Sequence, residues 1–437
     1  MEQLQKGSKK LLNAWAFYDW ANSVYSLVIA SAIFPLYYQS LFSAADVKTV
    51  VVFGGEIRST PLISYTTAIA FTVVSIFIPI LSGVADYVGN KKVFMKFFCY
   101  LGALSCMGMY FFNLENIHIS LLLYFLALVG FWSSWVFYNS YLPDVAFPEQ
   151  QDKLSAKGFS LGYLGSVILL LFNLSMVMKP EFYGLGEGGE GSMKAMQFSF
   201  VSVGVWWIIF SQYTFYHLPK GNKSKNKVTY RVLFDGFKEL KGVYNSLSEN
   251  KTLKRYLAAF FVYSMAVQTV MLVATYFGEQ EINWGDSDKK TIGLITSILL
   301  IQLVAILGAY LTSLSSRKYG NIPTLIVING IWASICVIAY FITSPMQFYI
   351  TASLVGLVMG GIQALSRSTY SKFLPDTEDT TSYFSFYDVA EKVGIVFGML
   401  IYGIIDHITD SMRNSILFLV VFFIIGGLLL FRVPRNS

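Results

Sequence analysis

Charge is what this chain has least of. Asp, Glu, Lys and Arg make up 13% of its 437 residues, about half the share of a soluble globular domain, so a fold solvated on all sides by water is excluded. Cysteine and histidine are scarcer still. Cys99, Cys106 and Cys336 are scattered through apolar stretches and read as small apolar fillers, giving neither a disulfide framework nor a metal cluster. His118, His217 and His407 stand singly near the ends of apolar runs, where an interfacial role is the default. Nucleotide phosphate loops and nucleophile elbows are missing as well. The glycine-rich run Gly184-Leu185-Gly186-Glu187-Gly188-Gly189 lacks phosphate-cradle spacing and reads as a flexible connector. These absences argue against an enzyme and against an ATP-driven pump, and they require no cofactor and no metal. A nucleic-acid partner fails too, because no basic face is interleaved with aromatic residues on a soluble domain.

What the chain has instead is hydrocarbon, 55% of its residues being hydrophobic. Apolar runs long enough to cross about 30 Å of bilayer occur twelve times, near 15–39, 62–84, 93–112, 119–141, 158–178 and 196–217, then 254–277, 291–314, 322–343, 347–367, 384–405 and 414–431. Only a helix or a closed barrel satisfies its backbone in lipid. The runs are too long, and alternate too little, for barrel strands. The spacing predicts an all-α membrane protein of twelve transmembrane helices in two pseudo-symmetric six-helix bundles, 1–217 and 254–437, joined by a linker over 218–253.

The two halves share sequence. Tyr141-Leu142-Pro143-Asp144 recurs as Phe373-Leu374-Pro375-Asp376, and Gly89-Asn90 recurs as Gly320-Asn321, each about 230 residues later. Gly158 and Gly162 of the fifth span are mirrored by Gly394 and Gly398 of the eleventh, both spacings that let helices approach closely. Duplicated bundles can open a central site alternately to each side, which points to transport. Lys and Arg resist translocation. The stretch from Leu218 to Arg255 alone carries ten of them against Asp235, Glu239 and Glu249, which predicts a cytoplasmic linker and both termini in the cytoplasm. Met1 to Lys10 is a basic tail without a small-residue cleavage pattern, so the first helix is expected to stay.

Polar residues inside the spans mark the candidate site, because an intramembrane charge normally faces a partner or a hydrated cavity. In the first span Asp19, Asn22, Ser23 and Ser26 follow a helical spacing. Asp19 is the candidate proton-binding and coupling residue, with a helix cap or anchor as the structural reading. Gly356, Gly360, Gln363 and Arg367 share a face of the tenth span. A guanidinium so placed suits either a bound carboxylate or a fixed ion pair with Asp19, Asp388 or Glu391. Ser264, Gln268 and Thr275 form a weaker stripe in the seventh. Asp388 and Lys392, four apart in the eleventh, either pair within the helix or serve as gating charges.

Between spans two and three, Gly83-Val84-Ala85-Asp86-Tyr87-Val88-Gly89-Asn90-Lys91-Lys92 resembles the loop signature of the major facilitator superfamily. The resemblance implies gating roles for Gly83, Asp86 and Gly89, with Asp86 latching against the eleventh helix near Ser385; the second-half copy departs, carrying Arg317 where Asp86 would align. Trp15-Ala16-Phe17-Tyr18-Asp19-Trp20-Ala21-Asn22-Ser23, Phe34-Pro35-Leu36-Tyr37 and Gly361-Ile362-Gln363-Ala364-Leu365-Ser366-Arg367-Ser368 narrow it. They resemble the branch related to the fungal vacuolar amino-acid effluxer and its bacterial relatives. Met265-Ala266 stands where that branch leads one to expect Asp-Gly.

The leading expectation is a secondary transporter of a small polar organic solute, an amino acid or related metabolite, in a bacterial plasma membrane. Asp19, Asn22, Ser26, Gln268, Gln363 and Arg367 would contact substrate, and protons are the candidate coupling ion. Two other readings stay open: export of hydrophobic or drug-like compounds, and a receptor of transporter shape that moves nothing. A monomer is the default, with the lipid bilayer as its environment.

Overall fold

The apolar runs are helices, and most of them outlast the hydrocarbon they are long enough to cross. The structure, a computed structural model, describes residues 4–52, 54–221 and 232–434. In chain order its long helices are α1 (Lys9–Ala44), α2 (Ser59–Val88), α3 (Lys91–Gly108), α4 (Ile117–Asn139), α5 (Pro148–Met178) and α6 (Gly188–His217). After these come α7 (Val232–Glu249), α8 (Lys251–Glu281), α9 (Ser287–Tyr319) and α10 (Asn321–Phe341). The last three are α11 (Pro345–Phe373), α12 (Thr380–Thr409) and α13 (Met412–Leu430). Among the described residues eleven helices are long and apolar enough to cross a membrane. Helix α12 matches them in length at 30 residues, but Asp388, Glu391 and Lys392 dilute its apolar run. Residues 222–231 of the expected linker lie outside the described residues.

Local chemistry sets the ends. Asn250 and Asp286 accept from the backbone N–H groups of Leu253 and Lys289 to start α8 and α9. Ser344 and Gln347 form a reciprocal capping box ahead of α11, with Pro345 at its first position. Gly89 closes α2 in a left-handed conformation (φ 67°). Its N–H reaches Asp86 O while the Asn90 N–H reaches Ala85 O, a Schellman end that requires a residue free to adopt positive φ. Two features lie outside the hydropathy reading. A hairpin, β1 (Thr49–Val52) with β2 (Gly55–Arg58), pairs antiparallel between α1 and α2. In the middle of α1, residues Tyr25–Ile33 wind in wide π turns ending with Phe34 N–H on Ile29 O. Pro35 follows directly, and its ring crowds the carbonyl of the preceding turn, disfavouring ordinary α winding.

The chain divides into two compact units, one of Met1–Asn139 with Leu164–Gly236, the other of Ser140–Tyr163 with Phe237–Ser437. Helix α5 is shared, its first half clustering with the second unit. Within the first unit α1 packs on α6, α3 on α4 and α6, and α2 on α4. In the second, α8 packs on α13, α10 on α11 and α13, and α9 on α11. The four pairings correspond helix for helix, so the duplication seen in short motifs extends to how each unit is packed.

Close approach at the crossings depends on missing side chains. A Cβ on Gly356 would lie 2.5 Å from Ile301 O, and one on Gly360 would meet Ala305. The two glycines that share a face with Arg367 thus seat α11 on α9. Gly398 does likewise for α12 on α8, where a Cβ would lie 2.9 Å from Met265 O. Met265 itself is buried at 4% exposure; the residue standing in place of the expected acid is a packing residue.

Candidate functional site

In the first unit α1 carries Asp19 and Asn22, both fully buried. The Tyr138 hydroxyl of α4 donates to Asp19 Oδ2 at 2.8 Å. Tyr138 is itself held in place. Its ring stacks on Trp15 with centroids 4.6 Å apart, Trp15 Nε1 donates to Tyr138 O at 3.1 Å, and the Tyr18 ring lies 4.9 Å away. The carboxylate therefore meets a donor that its own aromatic neighbours hold in place. Next to it, Asn22 Oδ1 accepts from Ser23 Oγ at 3.4 Å, while Asn22 Nδ2 has no hydrogen-bond partner among the described residues. A buried amide with an unmet donor is costly unless a solute or solvent group meets it. Ser26, expected on the same face, is exposed. The π turns that begin at Tyr25 break the 3.6-residue period on which that expectation rested.

In the second unit α11 carries Gln363 and Arg367. Arg367 is 1% exposed, its Nε donating to Ser155 Oγ at 2.9 Å and its Nη2 to Ser155 O at 3.1 Å. Its guanidinium lies over the Phe159 ring at 4.3 Å. Ser155 Oγ in turn donates to Ala364 O at 2.7 Å, and the Tyr163 hydroxyl donates to Gln363 Oε1 at 2.7 Å. One turn beyond, Asp152 accepts from Lys372 at 2.6 Å, Asn321 at 3.0 Å and Ser316 at 3.2 Å. Read together, 163 with 363, 155 and 159 with 367, and 152 with 372 make an antiparallel polar ladder between α5 and α11.

Helix α12 supplies the remaining charges. Lys392, 1% exposed, donates to Asp388 at 2.7 Å and lies 3.5 Å from Glu391. Gln268 of α8 donates to Glu391 Oε1 at 2.6 Å. Asp388 and Lys392 thus do form the intrahelical pair that their spacing allows. Two carboxylates share the lysine, and Gln268 orients the one nearer α8. Gly83 is buried inside α2, and Asp86 and Gly89 form its last turn and cap.

The sequence did not single out Tyr138, Ser155, Phe159, Tyr163 and Asp152 as site-building residues, and it offered Glu391 only as a partner for Arg367, whereas it accepts from Gln268 and lies beside Lys392. Tyr138 had a signal only in retrospect, lying just before the repeated Leu-Pro-Asp segment; an aromatic residue in an apolar run is otherwise silent.

A family model described as "Vacuole effluxer Atg22 like" matches residues 7–437. The chain belongs to that family, a branch of the major facilitator superfamily. An uncharacterized MFS-type transporter, YxiO of Bacillus subtilis, is 30% identical over 434 residues, covering 99% of this chain and 97% of that protein. Autophagy-related protein 22 of Kluyveromyces lactis is 23% identical over 96% of this chain and 92% of its own length. By fold, the chain is similar to the fucose:proton symporter FucP of E. coli, with a TM-score of 0.69 at 14% identity and 98% coverage of both chains. The proton:xylose symporter XylE gives a TM-score of 0.69 at 12% identity, covering 98% of this chain and 96% of that one. This Atg22-like protein is accordingly an integral, multi-pass, all-α membrane transporter of the MFS type.

Proposed function

We propose that this Atg22-like protein moves a small polar organic solute, an amino acid or related metabolite, by alternating access, with proton coupling through Asp19. The observation that carries the reading is a carboxylate with no exposed surface that accepts from the Tyr138 hydroxyl. Burying an ionised carboxylate is expensive unless it is neutralised or well paired. A carboxylate kept in such a place suits a group that takes up and gives off a proton or an ammonium in each cycle. Asn22, Gln268 and Gln363 add neutral donors and acceptors. Arg367 supplies a planar fork that matches a substrate carboxylate, and binding there requires it to exchange its bonds to Ser155. A zwitterion loses hydration at both ends, so it needs a cation for its carboxylate and an anion for its ammonium. Gly83, Asp86, Gly89 and the Asp388–Lys392 pair are assigned to gating, in a bacterial plasma membrane with both termini cytoplasmic.

The test is flux of a labelled amino-acid panel in proteoliposomes containing the full chain, with and without a pH gradient. Gradient-driven accumulation of at least one amino acid is expected. Flux no greater than in empty vesicles for every member sinks the substrate class. If Asp19→Asn accumulates substrate as well as the unaltered protein does, the proton assignment fails while the substrate class stands.

A further inference from the structure

Four cations crowd one end of the second unit. A cavity of about 530 Å³ is lined by Lys251, Lys254 and Arg255 of α8, Arg432 just past α13, and Ala258 and Leu429. Among the described residues no carboxylate lines it and none of the four cations is in an ion pair. Arg255 Nη1 donates to Arg432 O at 3.1 Å, which ties the first turns of α8 to the end of α13 and fixes the groove between them. The side chains of the four line the groove and their charges border it, so an anion there meets attraction from all four.

Position decides which anion. Both helices are long and apolar enough to cross a membrane. The cations stand at the start of α8 and the finish of α13, where the apolar run of each gives way to charge. Ala258 and Leu429 continue the wall on the apolar side, and the aliphatic stems of the lysines and arginines extend it toward their charged heads. A soluble phosphate would use the heads alone. A lipid uses both parts, its phosphate among the cations and its acyl chain along Ala258 and Leu429.

We propose that the groove between α8 and α13 is a binding site for the phosphate headgroup of an anionic membrane lipid. The site is separate from the polar residues assigned to substrate and does not depend on which solute is carried.

Native mass spectrometry of the detergent-purified full chain, titrated with phosphatidylglycerol or phosphatidylcholine of the same acyl composition, tests this. Phosphatidylglycerol is expected to be retained at least about tenfold more tightly, the scale set by several basic residues acting on one anionic headgroup. Lys251→Gln with Lys254→Gln should abolish most of that preference. Among the described residues neither ammonium makes a hydrogen bond, so folding is expected to survive, and size-exclusion elution reports on it. Arg255→Gln with Arg432→Gln is a second variant, and Lys289→Gln with Lys290→Gln serves as the distant control. Equal retention of the two lipids, or an undiminished preference in both groove variants, overturns the proposal. Displacement of bound phosphatidylglycerol by millimolar inorganic phosphate overturns the lipid assignment, since the heads alone would then account for binding.

Discussion

Arg367 and Ser155 are joined twice, side chain to side chain and side chain to backbone, while Phe159 covers the flat face of the guanidinium. A lysine cannot reproduce that arrangement, because its single ammonium has neither the fork nor the plane. Arg367→Lys is expected to lower thermal stability by about 2 kcal/mol and to cut transport at least about tenfold despite its unchanged charge. An unaltered melting temperature together with unaltered flux contradicts both roles.

Removing the Tyr138 hydroxyl leaves Asp19 buried with a hydrogen bond fewer. Tyr138→Phe should destabilise the protein by about 1–3 kcal/mol. Asp19→Asn should recover part of that loss, since a neutral amide is cheaper to leave partly unsatisfied than a carboxylate. A double-mutant cycle followed by thermal unfolding measures the coupling. Strict additivity would show that the hydroxyl does not serve the carboxylate.

The Asp152 cluster predicts an asymmetry. Asp152 accepts from Lys372, Asn321 and Ser316, so Asp152→Leu removes the acceptor that all three share and leaves Lys372 with Asn321 Oδ1 alone. Lys372→Met leaves the carboxylate with Asn321 and Ser316. The first change should cost about 1–2 kcal/mol more than the second in thermal unfolding. The reverse order would mean that the cluster is held chiefly through the lysine.

Two glycines of the second unit should respond oppositely to alanine. At Gly356 a Cβ falls 2.5 Å from Ile301 O, whereas at Gly330 in α10 nothing lies within 4 Å. Gly356→Ala is expected to destabilise by about 1–3 kcal/mol through overpacking of α9 on α11. Gly330→Ala should stabilise by about 0.5–1 kcal/mol, the ordinary gain of alanine over glycine inside a helix. Parallel melting curves for the two variants decide it.

Hydropathy revealed the helices and missed their extensions, and the extensions hold much of the chemistry. The fifth apolar run begins at 158, yet α5 starts at Pro148; the polar turns between them supply Asp152 and Ser155. The tenth run stops at 367, while α11 continues to Phe373 and carries Lys372. An apolar window measures lipid thickness, whereas a helix continues for as long as its backbone bonds and caps allow. Charged residues inside the runs, such as Asp19, Arg367 and Lys392, stood out because lipid makes them rare. Their neutral partners Tyr138 and Ser155 did not stand out in this way, since hydroxyls also serve as ordinary helix contacts.

A π turn holds one residue more than the α turn it replaces, so the stretch Tyr25–Ile33 carries slack in its winding. Deleting a residue there would let the coil tighten while Phe34 and its successors kept their present facing. Tightening with the residue retained would swivel that distal length of α1 by roughly 100° and shift it about 1.5 Å, leaving Asp19 and Asn22 where they are. The first helix is in this sense a screw joint, its threaded part set just beyond the carboxylate.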